Sequence, residues 1–135
     1  IVYPDFDALA SHPTAKLLLI DEPEKLDRVA AELRAQLGPR VHITKSKPHF
    51  LEITHPEGTK GHALGHLAEH FGFSLAEVIA VGDSWNDAEM LEVAGLGVAM
   101  ANAVESLKQA ADYITLSNNE DGVKHVVEKY ILQTV

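Results

Sequence analysis

The chain has no cysteine among its 135 residues. Disulfide bonds, thiolate metal sites and a cysteine nucleophile are therefore all excluded. Any metal that this chain binds must be held by ligands other than thiolate.

Positive charge is also scarce, because 11 lysines and arginines face 20 aspartates and glutamates and the formal net charge is -9. A nucleic acid or an anionic membrane is disfavoured as a main partner, since phosphate backbones are bound by clustered lysine and arginine. A protein this acidic that handles phosphate must bring local positive charge, either from a lysine or from a divalent cation.

Long apolar runs are absent, and no stretch reaches the roughly 18 residues expected of a membrane span. The composition, 46% hydrophobic and 23% charged, is typical of a globular protein. No signal peptide precedes the fold, so a cytoplasmic location is the default expectation. The sequence begins at Ile1 and not at methionine, which indicates that an upstream segment was removed or is absent.

The most informative stretch is 78–87, where an apolar run predicts a short buried strand that ends in a polar loop. Gly82 would let the backbone turn sharply, and Asp83, Asn86 and Asp87 follow it. Two carboxylates at the end of a buried strand are costly unless a hard cation compensates them, and Mg²⁺ commonly takes one or two carboxylates plus substrate phosphate. Ligands of open α/β sheets lie outside the carboxyl ends of strands, so we expect a metal and a phosphorylated substrate here.

The first part of the chain predicts a small α/β unit. A strand is expected over 16–20, then a helix that starts around Pro23 and ends at Gly38-Pro39, then strands over 41–44 and 49–54. The polar residues 45–48 suit a hairpin-like connection. One apolar stripe marks the buried face of the helix, namely Leu26, Val29, Ala30, Leu33 and Leu37.

Composition shifts at 54–58, the best candidate for a domain boundary. Beyond it, helices and strands alternate through short loops, which is typical of parallel βαβ units. The first of these helices, 61–71, carries the apolar residues Leu64, Leu67, Ala68 and Phe71. The remaining elements are expected at 78–81, 88–94, 96–100, 104–111, 113–116 and 122–132.

An ordered set of short motifs runs through this second part. The set comprises Lys60-Gly61, Gly82-Asp83-x-x-Asn86-Asp87, Met90-Leu91, Ala94-Gly95, Val98-Ala99-Met100, Asn102-Ala103, Ala111-Asp112-Tyr113 and Asp121-Gly122-Val123. It closely resembles the C-terminal part of the haloacid dehalogenase (HAD) superfamily, specifically the Cof-type sugar-phosphate phosphatases with a type IIB cap. The resemblance implies an α/β fold with a HAD-like Rossmannoid parallel sheet over 58–135 and the C-terminal part of an α/β cap over 1–57.

The resemblance also implies roles for four residues. Lys60 matches the lysine that contacts the phosphoryl group and neutralises charge during its transfer. Asp83 matches the aspartate that ligates Mg²⁺, and Asp87 matches a second aspartate that holds the metal through water or orients the lysine. Asn86 matches a substrate-side amide that donates to a phosphate or sugar oxygen.

The family's nucleophile has no clear match. Family members carry an apolar strand followed by Asp-x-Asp-Gly-Thr, whereas Asp5-Phe-Asp7 is followed by Ala8-Leu9 and preceded by Pro4. We interpret Asp5 and Asp7 as part of a polar turn in the cap. The chain is therefore expected to be a fragment that is inactive alone and that, in the complete protein, works through an aspartyl-phosphate.

Several residues keep a second interpretation. Asp87 could cap the helix that begins at Ala88. His62, His66 and His70 recur every four residues and could bind a metal, but a solvated helix face is favoured. Trp85 could pack on the cap or on substrate or be purely structural. Glu52 is expected to serve the fold or a hinge.

The leading hypothesis is a Mg²⁺-dependent phosphomonoesterase that acts on a sugar phosphate or a similar small phosphorylated metabolite. The alternatives are a phosphosugar mutase, a sucrose- or mannosyl-phosphate phosphatase of the same fold, or a non-catalytic interaction module. Open sheet edges would be expected to pair with the missing N-terminal part of the protein or with a second copy of the chain.

Overall fold

The computed structural model describes residues 12–134 together with Asp5 and Asp7. These residues form two three-stranded sheets, one antiparallel and one parallel, which follow each other along the chain. The mixed α/β architecture agrees with the fold class expected from the sequence.

The first sheet has the order β1-β3-β2, in which β1 is Lys16–Ile20, β2 is His42–Lys47 and β3 is Phe50–Thr54. Both pairings are antiparallel. β2 runs further than the sequence predicted, because residues 45–47 belong to the strand and the turn is confined to Pro48 and His49. The extension is possible because β2 absorbs one extra residue, Ser46, as a bulge between Lys45 and Lys47.

Helix α1, Pro23–Leu37, covers this sheet. Its start is marked by Pro23 in the first turn, as predicted, and it ends where Gly38 adopts a positive φ of 54°. The predicted apolar stripe faces the sheet, where Leu26 and Ala30 are buried against Ile43 and Leu51. This small core fixes β2 and β3 relative to the helix.

The second sheet is parallel, with the order β4-β5-β6. The prediction of parallel βαβ units is therefore confirmed. Strands Ile79–Gly82 (β4), Leu96–Ala99 (β5) and Tyr113–Ile114 (β6) alternate with helices Lys60–Phe71 (α2), Ala88–Val93 (α3), Glu105–Ala110 (α4) and Gly122–Val126 (α5). The expected single helix over 122–132 divides, since α5 continues as a π-helical segment, Val127–Leu132.

The core of this second unit lies between the sheet and helices α3 and α4, where Leu91, Ala99 and Leu107 are at most 3% exposed. The stripe predicted for α2 was only half right. Ala68 is buried and Leu64 is half-buried against the core, but Leu67 and Phe71 are 52% and 63% exposed. Helix α2 packs mainly on α3, so within the described residues only one edge of its apolar surface is covered.

The link between the two sheets is a short turn over residues 55–59. The Gly58 N–H donates to the His55 carbonyl at 2.8 Å, and the Thr54 hydroxyl donates to the Gly58 carbonyl at 3.2 Å. Thr59 then caps α2 by accepting the His62 N–H. Lys60 is thus the first residue of a helix whose start is well defined. No helix among the described residues is long and apolar enough to cross a membrane.

Two glycines of the second unit offer a matched test of its packing. A Cβ added at Gly95 would lie 2.1 Å from the Ala76 carbonyl oxygen, whereas one added at Gly65, inside α2, would meet nothing within 4 Å. We expect Gly95→Ala to lower the free energy of unfolding by about 2 kcal/mol or more through this clash. Gly65→Ala should instead raise it by about 0.5–1 kcal/mol, because alanine is the better helix former.

Urea unfolding of both variants beside the unsubstituted protein measures the two changes. Equal effects of the two substitutions would contradict the close approach at Gly95.

Candidate active site

The candidate site lies at the carboxyl edge of the parallel sheet, where β4 ends in the loop 83–87 and β5 ends before Asn102. Loop residues 85–87 form a single 3₁₀ turn that leads directly into α3. This is the position at which open α/β sheets bind their ligands. The local sequence produces it by placing polar residues immediately after a short apolar strand.

Asp87 is the most buried ionisable side chain of the site, with the residue only 4% exposed. Its Oδ2 accepts hydrogen bonds from the main-chain N–H groups of Asp83 at 2.9 Å and Ser84 at 3.0 Å, and its Oδ1 accepts one from Lys60 Nζ at 2.5 Å. Burial raises the pKa of Asp87, but the hydrogen bonds from Lys60 and from these two N–H groups outweigh it, and the net pKa lies below the usual value. Asp87 is thus a carboxylate at neutral pH.

The side chain of Asp87 makes no capping bond to α3, so the capping interpretation is wrong in its usual form. The carboxylate instead turns back to the loop that precedes it and closes that loop against α2. Both of its oxygens accept hydrogen bonds, one of them from Lys60.

Gly82 is required by space and not by backbone conformation. Among the described residues, the glycines with positive φ are Gly38 and Gly72, so Gly82 does not adopt the left-handed conformation that favours glycine. A Cβ at Gly82 would lie 2.4 Å from the Cβ of Asp87. A side chain at this position would therefore displace the carboxylate that holds Lys60.

Lys60 reaches Asp87 from the first turn of α2, and its side chain is 50% exposed. The ammonium group lies between two adjoining cavities. One, of about 320 Å³, is lined by Lys60, Asp83 and Asp87 with Met90, Met100 and Val123 among its walls. A single lysine is thus shared by loop 83–87 and the second cavity beside it.

Asp83 differs from Asp87 because its side chain is exposed, and its one hydrogen bond within the described residues is a long one, 3.5 Å, from the Asn102 amide. Asn102 is itself held by the Asn118 N–H, which donates to its Oδ1 at 2.8 Å. No role was assigned to Asn102 from the sequence. Its place just beyond the carboxyl end of β5 is the signal that could have drawn attention to it.

Asn86 is half-buried and faces the second cavity, of about 250 Å³. The walls of this cavity come from the first sheet, the link, the start of α2 and the loop after β4, and they are mostly polar, namely Lys16, His42, Thr44, Glu52, Thr54, Gly58, Thr59, Lys60 and Asn86. The four residues singled out from the sequence therefore meet, with Asp83 and Asp87 on one side of Lys60 and Asn86 on the other.

Other residues weighed in the sequence lie apart from this arrangement or beside it. Trp85 lines a small cavity with Arg34, Thr44 and Leu51, on the side where loop 85–87 approaches β2. Asp5 and Asp7 are exposed.

The three histidines of α2 are exposed, and His62 and His66 line a groove between α2 and α3. Among residues 12–134, Asp5 and Asp7, no group of three or more histidine or carboxylate side chains could hold a metal ion. The interpretation of a solvated helix face is consistent with this exposure.

The bond network of Asp87 predicts a pH-dependent stability. Because the folded pKa of Asp87 is depressed, its contribution is complete above the unfolded carboxyl pKa of about 3.9 and is lost as the pH falls through the folded value. We expect Asp87→Asn to lower the free energy of unfolding at pH 7 by about 1–3 kcal/mol. The deficit should shrink as the pH falls below about 4, where the unsubstituted protein loses the same charge.

Thermal unfolding of both proteins between pH 3 and pH 8 measures this difference. A gap between the two proteins that stays constant over the whole range would show that the ionised form of Asp87 is not what stabilises the loop.

A family model described as haloacid dehalogenase-like hydrolase matches residues 2–127. The phosphatase YwpJ of Bacillus subtilis is 46% identical over 105 residues, which is 78% of this chain and 36% of that protein. The 5-amino-6-(5-phospho-D-ribitylamino)uracil phosphatase YcsE, also of Bacillus subtilis, is 40% identical over 113 residues, or 84% of this chain and 45% of that protein.

The solved structure of the HAD subclass IIB sugar phosphatase BT4131 superposes on 93% of this chain and 46% of its own, with a TM-score of 0.81 and 30% identity. The chain spans less than half the length of the first curated relatives that it matches. The three relatives named above are phosphatases. The fold, the matched family model and these relatives show that the chain belongs to the haloacid dehalogenase-like hydrolases.

Proposed function

We propose that the protein hydrolyses the phosphate monoester of a small hydroxylated metabolite, such as a sugar phosphate. The observation that carries this proposal is the arrangement around Lys60, whose ammonium is fixed by Asp87 and faces the same cavity as Asp83. A fixed cation beside a free carboxylate suits phosphoryl transfer, in which charge gathers on the phosphoryl oxygens and is neutralised by lysine and a metal.

Lys60 would donate to a phosphoryl oxygen while Asp87 holds it in place. The carboxylate of Asp87 is ionised at neutral pH and nearly fully buried, so little water competes with it for the ammonium group of Lys60. Half of the lysine side chain is exposed, so its remaining N–H groups can reach a ligand. The pair thus supplies a preorganised positive charge in an otherwise acidic chain.

The donor chemistry of the loop fits Mg²⁺, which takes oxygen ligands and keeps waters and substrate oxygens in its coordination shell. Asp83 would be the direct ligand, since its carboxylate is exposed and only weakly engaged by Asn102. Asp87 would contact the ion through water at most, because both of its oxygens already accept hydrogen bonds. When bound, the ion would neutralise charge on the transferring phosphoryl group.

The attacking group would come from the part of the protein beyond this chain. In the covalent route implied by the family resemblance, an aspartate oxygen forms a bond to phosphorus as the bond to the leaving oxygen breaks, and a second carboxylic acid protonates that oxygen. Water then cleaves the acyl phosphate and returns the aspartate with release of inorganic phosphate. In these two steps, Lys60 would neutralise negative charge on the phosphoryl oxygens, and Asp83 would hold the metal ion that does the same. Neither would act as a nucleophile.

The leaving group would occupy the second cavity, beside Asn86. Its walls carry hydroxyl, amide, imidazole and charged groups and no aromatic ring apart from His42, which suits a ligand with several hydroxyl groups. The names of the relatives point the same way, since one is a sugar phosphatase and another a phosphatase of a ribityl phosphate.

The role of Asp83 predicts that Asp83→Asn keeps the fold and loses activity. We expect Mg²⁺-dependent hydrolysis of p-nitrophenyl phosphate by the complete protein to fall by at least about 100-fold. The thermal midpoint should barely change, because this side chain is exposed and weakly bonded. Substitution of an exposed carboxylate outside the site, Glu32→Gln, is the control. Undiminished activity of Asp83→Asn would contradict the assignment of Asp83 as the metal ligand.

The 135-residue chain alone should not turn over p-nitrophenyl phosphate, because it offers charge stabilisation without a matched nucleophile or acid. Steady-state assays of the purified chain with millimolar Mg²⁺, beside the complete protein, measure this. Turnover near that of an intact phosphatase that is abolished by Asp5→Asn would identify Asp5 as the nucleophile and overturn the interpretation of the chain as a fragment.

A further inference from the structure

The bulge in β2 brings the first sheet into contact with the loop over residues 83–87. Register shifts between Lys45 and Lys47, so Ser46 is the extra residue opposite β3. Bulges re-aim the groups of an extra residue and are frequent next to active sites. Here the Ser46 carbonyl accepts a hydrogen bond from the Ser84 hydroxyl at 2.9 Å, although the two residues are 38 positions apart.

The hydroxyl of Ser46 is anchored on its own sheet. It donates to Glu52 Oε1 at 2.6 Å, and Lys16 Nζ lies 3.2 Å from the same oxygen. Burial raises the pKa of Glu52, but the hydrogen bonds from Ser46 and Lys16 outweigh it and the pKa lies below its usual value. The ionised carboxylate of Glu52 therefore anchors the bulge on the first sheet.

Ser84 is bonded both to its own loop and to the first sheet. Its main-chain N–H donates to Asp87 Oδ2 and its carbonyl accepts the Asp87 N–H, whereas its side-chain hydroxyl donates to the Ser46 carbonyl. Removal of the hydroxyl would leave both main-chain bonds in place and would remove the bond to Ser46 together with the side chain's part in the capping box with Asp87. Trp85, the next residue, lines a small cavity together with Thr44 and Leu51 of the first sheet.

We propose that Ser84 is a positioning residue: its hydrogen bond fixes β2 relative to loop 83–87 and thereby fixes the walls of the second cavity, which would hold the leaving group. His42 and Thr44 line that cavity from β2, while Lys60 and Asn86 line it from the second unit. The width of the cavity depends on the spacing of the two units. Among the described residues, the Ser84–Ser46 bond is the hydrogen bond that joins loop 83–87 to β2, and a second polar contact between the units joins His42 Nδ1 to Glu89 Oε1 at 3.5 Å.

The proposal is tested in the complete protein with two substrates that differ in the size of the leaving group. Acetyl phosphate fills little of the cavity beyond the phosphate, whereas a hexose 6-phosphate needs its walls. We expect Ser84→Ala to lower the ratio of kcat/KM for the hexose phosphate to that for acetyl phosphate by about three- to tenfold, the effect of one lost hydrogen bond. The change should appear mainly as a higher KM for the hexose phosphate.

Two further variants separate positioning from general damage. Ser84→Thr keeps a hydroxyl and should restore the ratio. Ser74→Ala removes a serine hydroxyl from an exposed turn before β4, where it accepts the Ala76 N–H at 3.3 Å, and should leave the ratio unchanged. An equal fall for both substrates in Ser84→Ala, or no rescue by threonine, would overturn the proposal.

A second measurement needs no turnover. Hydrogen–deuterium exchange followed by mass spectrometry should show faster exchange in residues 42–47 of Ser84→Ala than in the unsubstituted protein, Ser84→Thr or Ser74→Ala. Unchanged exchange in Ser84→Ala would overturn the proposal. The substrate ratio rests on the proposed function, but the exchange does not. If the unsubstituted protein hydrolysed neither substrate, the proposed function would fail and the exchange result would decide the role of Ser84.

Discussion

The site depends on the hydrogen bonds that the buried carboxylate of Asp87 accepts. Three donors converge on it from two directions, two main-chain N–H groups of its own loop and the ammonium of Lys60 from another helix. Burial of a carboxylate without such partners would cost several kcal/mol of folding free energy. With them, Asp87 is a fixed group to which both the loop and α2 are hydrogen-bonded. The positions of Asp83, Ser84 and Lys60 all follow from where this one side chain lies.

The surrounding sequence serves the same centre. Gly82 leaves room for the carboxylate at the end of β4, and Thr59 caps α2 so that Lys60 begins a helix at a defined place. Asn102, in the turn after β5, donates to Asp83 and is itself bound by the Asn118 N–H from the turn after β6. The site is thus built from several short connections, each too small to be stable alone, on the rigid edge of a parallel sheet.

Much of this arrangement could be predicted from local sequence and family resemblance, and the remainder depended on contacts that no local pattern encodes. The alternation of apolar strands and helices indicated the parallel sheet, and the spacing of Lys60, Asp83 and Asp87 matched a family. Periodicity alone could not tell that Leu67 and Phe71 stay exposed here, because it identifies an apolar face but not whether a neighbour covers it.

Polar residues posed the opposite difficulty. Residues 45–47 looked like a connection but form part of β2, since a bulge at Ser46 lets polar side chains remain in a strand. The bond from Ser84 to Ser46 joins residues far apart in sequence and uses a main-chain carbonyl, so no residue type signals it.

The short link over residues 55–59 joins the first sheet to α2, and Lys60 follows it directly. A rotation about a point displaces nearby atoms little and distant atoms more. A rotation of the first sheet about this link would therefore displace the far end of β2, at Lys47, more than His42, which pairs with Thr54 next to the link. In evolutionary terms, such geometry would let the far end of the first sheet diverge while the residues around Lys60 and Asp87 keep their arrangement.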